Sequence, residues 1–223
     1  MNALAHAIQP IAEMPATAVS NDLGDLAHIF DDEVNLCLIH RQPKTQIQSF
    51  VTELLRRPEE IEIVEAIDFE HFKFNSLLPD YKDLPGYMAW WHDIAQITCA
   101  YCDLFGIERI GLRLRTLDKA MCPRFHVDHV PCRLVCTYGG VGTEWLPDEC
   151  VDRTKLGLGA QGLPDELSGL ILDGAAIHTM PPYAVGLMKG SKWEGNQDRG
   201  AVHRSPKPGP EAPRRLLLTL DML

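Results

Sequence analysis

Apolar residues recur at helical spacing in two stretches of the first half of the chain. In KTQIQSFVTELLRR, residues 44–57, Ile47, Phe50, Val51, Leu54 and Leu55 fall on one side of a helix, and Pro58 stops the run. YMAWWHDIAQITCAYCDLF, residues 87–105, predicts a longer helix ended by Gly106. Its apolar residues surround more than one face, so it should be largely buried. Residues 59–80 between them read as a short helix and loop. Residues 1–25 mix Ala, Pro and polar residues without a period and read as a loose arm.

The period becomes two after Gly106. Ile110, Leu112 and Leu114 alternate with Gly111, Arg113 and Arg115. Short strand candidates follow in RFHVDHV, CRLVCTYGG, TEWL, GLILDG, AAIHTM, YAVGLMKG and AVHRS, and the last is RRLLLTLDML. No helical crossover separates them, which predicts an antiparallel sandwich or barrel. The expected organisation is α+β. A helical region, 26–106, packs on a β-rich core, 107–223, within one structural domain overall.

Composition narrows the function classes. The 223-residue chain carries a net charge of -10 and has no long Lys/Arg run. Binding to nucleic acid through phosphates is therefore not expected. No apolar stretch approaches the ~20 residues of a membrane span, and the first residues lack the pattern of a secretory signal. A cytoplasmic location is the expectation, and the seven cysteines then read as thiols or metal ligands rather than disulfides. In particular, Cys122, Cys132 and Cys136 are expected to be unpaired.

The polar residues with most chemistry lie in CPRFHVDHVPCRLVC. On a strand, His126 and Asp128 point to the same side while Val127 turns away. His203, in AVHRSP, is a second imidazole on a late strand. Two His and one carboxylate on one face of a metal leave the other face open, an arrangement suited to Fe(II). On the last strand Arg215, Leu217, Thr219 and Asp221 share a face, and Leu216, Leu218 and Leu220 share the other. The guanidinium of Arg215 can then hold a carboxylate through two parallel hydrogen bonds. Arg214 competes for this role, since register at a strand start is uncertain.

His126-x-Asp128 with a distal His203 and Arg215 on the final strand resembles the Fe(II)- and 2-oxoglutarate-dependent oxygenases. The resemblance covers roughly residues 110–223. It implies a double-stranded β-helix, or jelly roll, with His126, Asp128 and His203 as metal ligands. It further implies that Arg215 binds the far carboxylate of 2-oxoglutarate, with Tyr138 or Thr219 adding a hydrogen bond. The substrate would be a small molecule or a protein side chain. More narrowly, MCPRFHVDHVPCRLVCTYGGVGTEWLP, GNQDRGAVHRSP and RRLLLTLD resemble the bacterial DUF1826 family, which implies a link to zinc homeostasis. A non-catalytic zinc protein is therefore an alternative, with Cys122 as a further ligand, since thiolates favour Zn. A cupin-like metal enzyme working without 2-oxoglutarate is another. Oligomeric state is open.

Overall fold

The computed structural model describes residues 15–196 and 198–223. Among them, ten strands form two sheets: β1 Ala16–Ser20, β2 Val34–Ile39, β3 Glu62–Asp68, β4 Arg109–Leu117, β5 Cys132–Gly139, β6 Glu144–Leu146, β7 His178–Thr179, β8 Val185–Lys189, β9 Val202–Arg204 and β10 Arg215–Met222. The large sheet runs β1-β2-β8-β5-β10-β4-β3, and the small one runs β7-β6-β9. Every pairing is antiparallel except β1 with β2.

Two helices, α1 Thr45–Leu55 and α2 Tyr87–Phe105, cover one face of the large sheet. Each matches its periodic stretch. α1 has no side-chain cap, so its order comes from Ile47, Phe50, Val51 and Leu54, all buried. α2 ends where Gly106 turns left-handed at φ 61° and its N–H reaches the carbonyls of Cys102 and Asp103. Under the helices lie Leu112, Leu114, Leu134, Leu216, Leu218 and Leu220, each fully buried. Burying one such side chain is worth roughly 1.5–3 kcal/mol. The all-leucine face of β10 thus points at the helices and its Arg215 face points away, the two faces that the alternation separates.

A polar network ties α2 to this sheet face. Asp93 accepts two bonds from Arg41, at 2.8 and 3.1 Å, and one from the Tyr138 hydroxyl at 2.6 Å. Replacing Asp93 by Ala would strand the largely buried Arg41 charge and should cost about 3–5 kcal/mol. Chemical denaturation would read this directly, and a loss below about 1 kcal/mol (roughly a fivefold change in the folding constant) would contradict it.

The first half is not simply helical. It contributes β1, β2 and β3 to the large sheet, so no helical layer precedes a separate β-core. Ala16–Ser20, expected in a loose arm, is a strand, and a 3-10 helix follows at Leu23–Phe30. Residues 1–14 of that arm lie outside the described residues. β2 escapes the alternation test because all six of its residues are buried, on both faces. β3 lies at the sheet edge with mostly exposed side chains, where the sequence pattern suggests helix and loop. Two strand candidates also dissolve. Residues 124–130 form a single bridge at His126, and Ile171 forms another with Val151.

All seven cysteines are free. Burial raises the Cys136 thiol to about 12, which suits a packing residue rather than a reactive one. Cys99 and Cys102 sit within α2. Among the described residues no helix is long and apolar enough to cross a membrane.

Candidate metal centre and anion pocket

His126 and His203 face each other across an antiparallel bridge, each donating its backbone N–H to the other's carbonyl at 3.0 Å. This pairing extends the small sheet past β9 and brings the two rings to 4.6 Å between centroids. Asp128 follows two residues after His126. One ligand atom from each of His126, Asp128 and His203 lies within 4.8 Å of the others. The structure therefore brings together the three residues the sequence singles out, although no regular strand carries the first two.

The tautomers fit a cation. Nδ1 of His126 lies 2.8 Å from the Arg124 carbonyl, and Nδ1 of His203 lies 3.1 Å from the Ala201 carbonyl. A carbonyl only accepts, so both Nδ1 atoms donate, and in a neutral ring Nε2 keeps its lone pair. Both Nε2 atoms face Asp128, at 3.5 Å from Oδ1 for His126 and 3.3 Å from Oδ2 for His203. Two lone pairs and a carboxylate converging on one point call for a shared cation or for ring protons. Burial alone would lower the His126 pKa, but the Asp128 carboxylate and the Arg124 carbonyl raise it overall. Burial alone would raise Asp128; His126, His203 and Arg133 outweigh it and hold the carboxyl well below its usual range. Asp128 Oδ2 is buried without an aligned hydrogen bond. It has a charge contact of 2.9 Å with Nη1 of Arg133. Among the described residues no cysteine joins the group. Cys122 lines the adjoining cavity together with Met121, Thr143, Ser205 and Leu217.

Arg215 is fully buried on the sheet face away from the helices. Among the described residues, none of its hydrogen bonds goes to a carboxylate. Nη1 reaches the Ser205 hydroxyl at 3.5 Å, and Nη2 reaches Thr137 at 3.2 Å and Thr143 at 3.3 Å. Nε has no partner there. Burial pulls its pKa down to about 10, against a weaker upward pull from Glu144. A buried guanidinium held by three long hydroxyl contacts is short of an anion. Ser205, two residues beyond His203, links this pocket to the His126–Asp128–His203 group. Gly140 makes room for it: a Cβ there would lie 2.8 Å from Arg215 Cγ, and its φ of 85° disfavours any other residue.

The other named residues fall differently. Tyr138 is not in the pocket: it lies on the opposite face of β5, buried under α2 and bonded to Asp93, because residues 132, 134, 136 and 138 share the helical face. Thr219 lines the cavity but makes no hydrogen bond with the guanidinium, which sits four residues away along β10. Arg214 turns outward, donating to the carbonyls of Arg57 and Glu59. His178 stacks on Trp145 with centroids 4.8 Å apart, and His129 bonds Ser191. Sequence reasoning does not single out the hydroxyls of Thr137, Thr143 and Ser205. Parity with Arg133 and Val135 on β5 could have found Thr137. Thr143 and Ser205 come from other segments and give no local signal. Two larger grooves, of about 510 and 570 Å³, lie elsewhere and touch none of His126, Asp128 and His203.

Comparison with solved structures shows the same fold in an Arabidopsis thaliana dioxygenase for auxin oxidation, solved as a binary complex with 2-oxoglutarate. The TM-score is 0.50 at 10% identity, covering 95% of this chain and 92% of that one. A full-length Neurospora crassa protein in complex with alpha-KG matches at TM-score 0.45 and 12% identity, covering 89% and 77%. A Pseudomonas putida prolyl-4-hydroxylase matches at TM-score 0.43 and 12% identity, covering 90% and 97%. Comparison with curated proteins finds no match. In sequence, the family model described as "Protein of unknown function (DUF1826)" matches residues 20–221, and the chain belongs to that family.

Proposed function

We propose that this protein is an Fe(II)- and 2-oxoglutarate-dependent oxygenase. The observation that carries the reading is Arg215: a fully buried guanidinium without a carboxylate partner among the described residues, joined through Ser205 to the segment that bears His203. A protein that only stores a metal has no use for such a group. His126, Asp128 and His203 would hold the metal through two imidazole Nε2 atoms and one carboxylate. Arg215 would fork the far carboxylate of 2-oxoglutarate, with the hydroxyls of Thr137, Thr143 and Ser205 completing the cradle. When bound, iron and 2-oxoglutarate supply the oxidising chemistry with O2, and the protein supplies geometry and exclusion of water. The substrate would be a small molecule or a protein side chain. Among the described residues no cysteine joins the His126–Asp128–His203 group, which supports this reading over the zinc alternative.

Calorimetric titration of 2-oxoglutarate into Mn(II)-loaded protein tests this reading. One saturable site is expected, with clearly weaker binding once the metal is removed. Equal affinity with and without metal would contradict it.

A further inference from the structure

We infer that Arg133 is a positioning residue that claims one oxygen of Asp128 and thereby makes that carboxylate a single-oxygen metal ligand. The inference rests on the metal-binding reading above and adds a group that neither the His-x-Asp motif nor the distal His contains.

Arg133 lies on β5 directly opposite Asp221 of β10. One edge of its guanidinium is fixed there: Nε lies 2.6 Å from Asp221 Oδ1 and Nη2 lies 3.0 Å from Oδ2. Asp221 is itself buried and is held from the other side by Arg113. A guanidinium is planar, so fixing this edge fixes the direction of the remaining nitrogen. That nitrogen, Nη1, lies 2.9 Å from Asp128 Oδ2. Two carboxylates and two arginines thus form a chain from Arg113 through Asp221 and Arg133 to the metal cluster.

A cation entering between His126, Asp128 and His203 meets a carboxylate whose Oδ2 already faces a fixed positive charge. Oδ1 is the oxygen left to it. With Asp128 restricted in this way, the protein would offer a metal three ligand atoms, and a second carboxylate oxygen would not compete with the cosubstrate. A lysine cannot reproduce this, because it cannot hold Asp221 by two bonds and reach Asp128 at once. If Arg133 only braced β5 against β10, its loss would change stability and leave the carboxylate's binding mode alone.

Infrared difference spectra on adding Mn(II) to protein with isotope-labelled aspartate report that mode. In the parent protein the antisymmetric and symmetric carboxylate stretches of the metal-bound residue should lie farther apart than in a free carboxylate, as for single-oxygen binding. In Arg133→Met they should draw together, as for two-oxygen binding. The same variant should bind Mn(II) at least as tightly as the parent and 2-oxoglutarate roughly 10–100-fold more weakly, the scale of outer-sphere effects at metal sites. Arg133→Lys should behave like Arg133→Met. A narrow separation in the metal-bound parent overturns the role of Arg133 and leaves the metal site standing. So does a wide separation that persists in the variants. No metal-induced change in the parent overturns the metal reading as well. Should Arg133→Met fail to fold, the parent spectrum and the Lys variant decide.

Discussion

Replacing Arg215 by Met should weaken 2-oxoglutarate binding by roughly 2–5 kcal/mol, the range for removing one partner of a buried charge pair. Metal binding should stay nearly intact, because Arg is no ligand. The unliganded fold should lose little stability or gain some. The guanidinium is fully buried and finds only hydroxyls at 3.2–3.5 Å among the described residues, so in the absence of an anion its charge is a cost of folding. Met keeps much of the volume and removes that cost. This pairing of lost binding with retained stability separates an anion pocket from a structural arginine. Arg214→Ala is the control: Arg214 points outward to the carbonyls of Arg57 and Glu59, and its loss should not change 2-oxoglutarate affinity. Calorimetry for binding and thermal unfolding for stability check both halves. A variant that is unstable but binds as the parent does would contradict the account.

Asp128→Ala should abolish metal binding at concentrations that saturate the parent. It removes the anionic member of the His126–Asp128–His203 group, so the loss should exceed the roughly 10–100-fold typical of changes one shell farther out. It also leaves Arg133 facing two imidazoles beside the cavity, where a cation would add to an uncompensated positive charge. The fold should persist, since Arg133 remains anchored to Asp221. A Mn(II) titration followed by relaxation or calorimetry tests this. Retained affinity would mean that the metal binds elsewhere.

The sequence exposes what repeats and hides what packs on both sides. α1 and α2 are legible because their apolar residues recur at helical spacing. β4 and β10 are legible through alternation, and the alternation also puts Arg215 and Thr219 on the face away from the helices. β2 is hidden because six consecutive buried residues carry no period. The pairing of β1 and β3 at the sheet edges depends on partners that no local pattern announces. At the site, strand parity finds His126 and Asp128 even though the segment forms only one bridge. The same parity, applied to β5, turns Tyr138 toward α2, where Asp93 receives its hydroxyl. Arg133 gives no signal of its own. Its role depends on Asp221, which is adjacent only after β5 and β10 pair.

On the proposed reading His126, Asp128 and His203 hold a metal, and Arg215 holds the far carboxylate of a 2-oxoglutarate bound to it. Anaerobic addition of 2-oxoglutarate to the Fe(II)-loaded protein tests it most directly. A metal-to-ligand charge-transfer absorption that saturates with 2-oxoglutarate and is lost in Asp128→Ala is expected. Tight metal binding with no such band at saturating 2-oxoglutarate would contradict it.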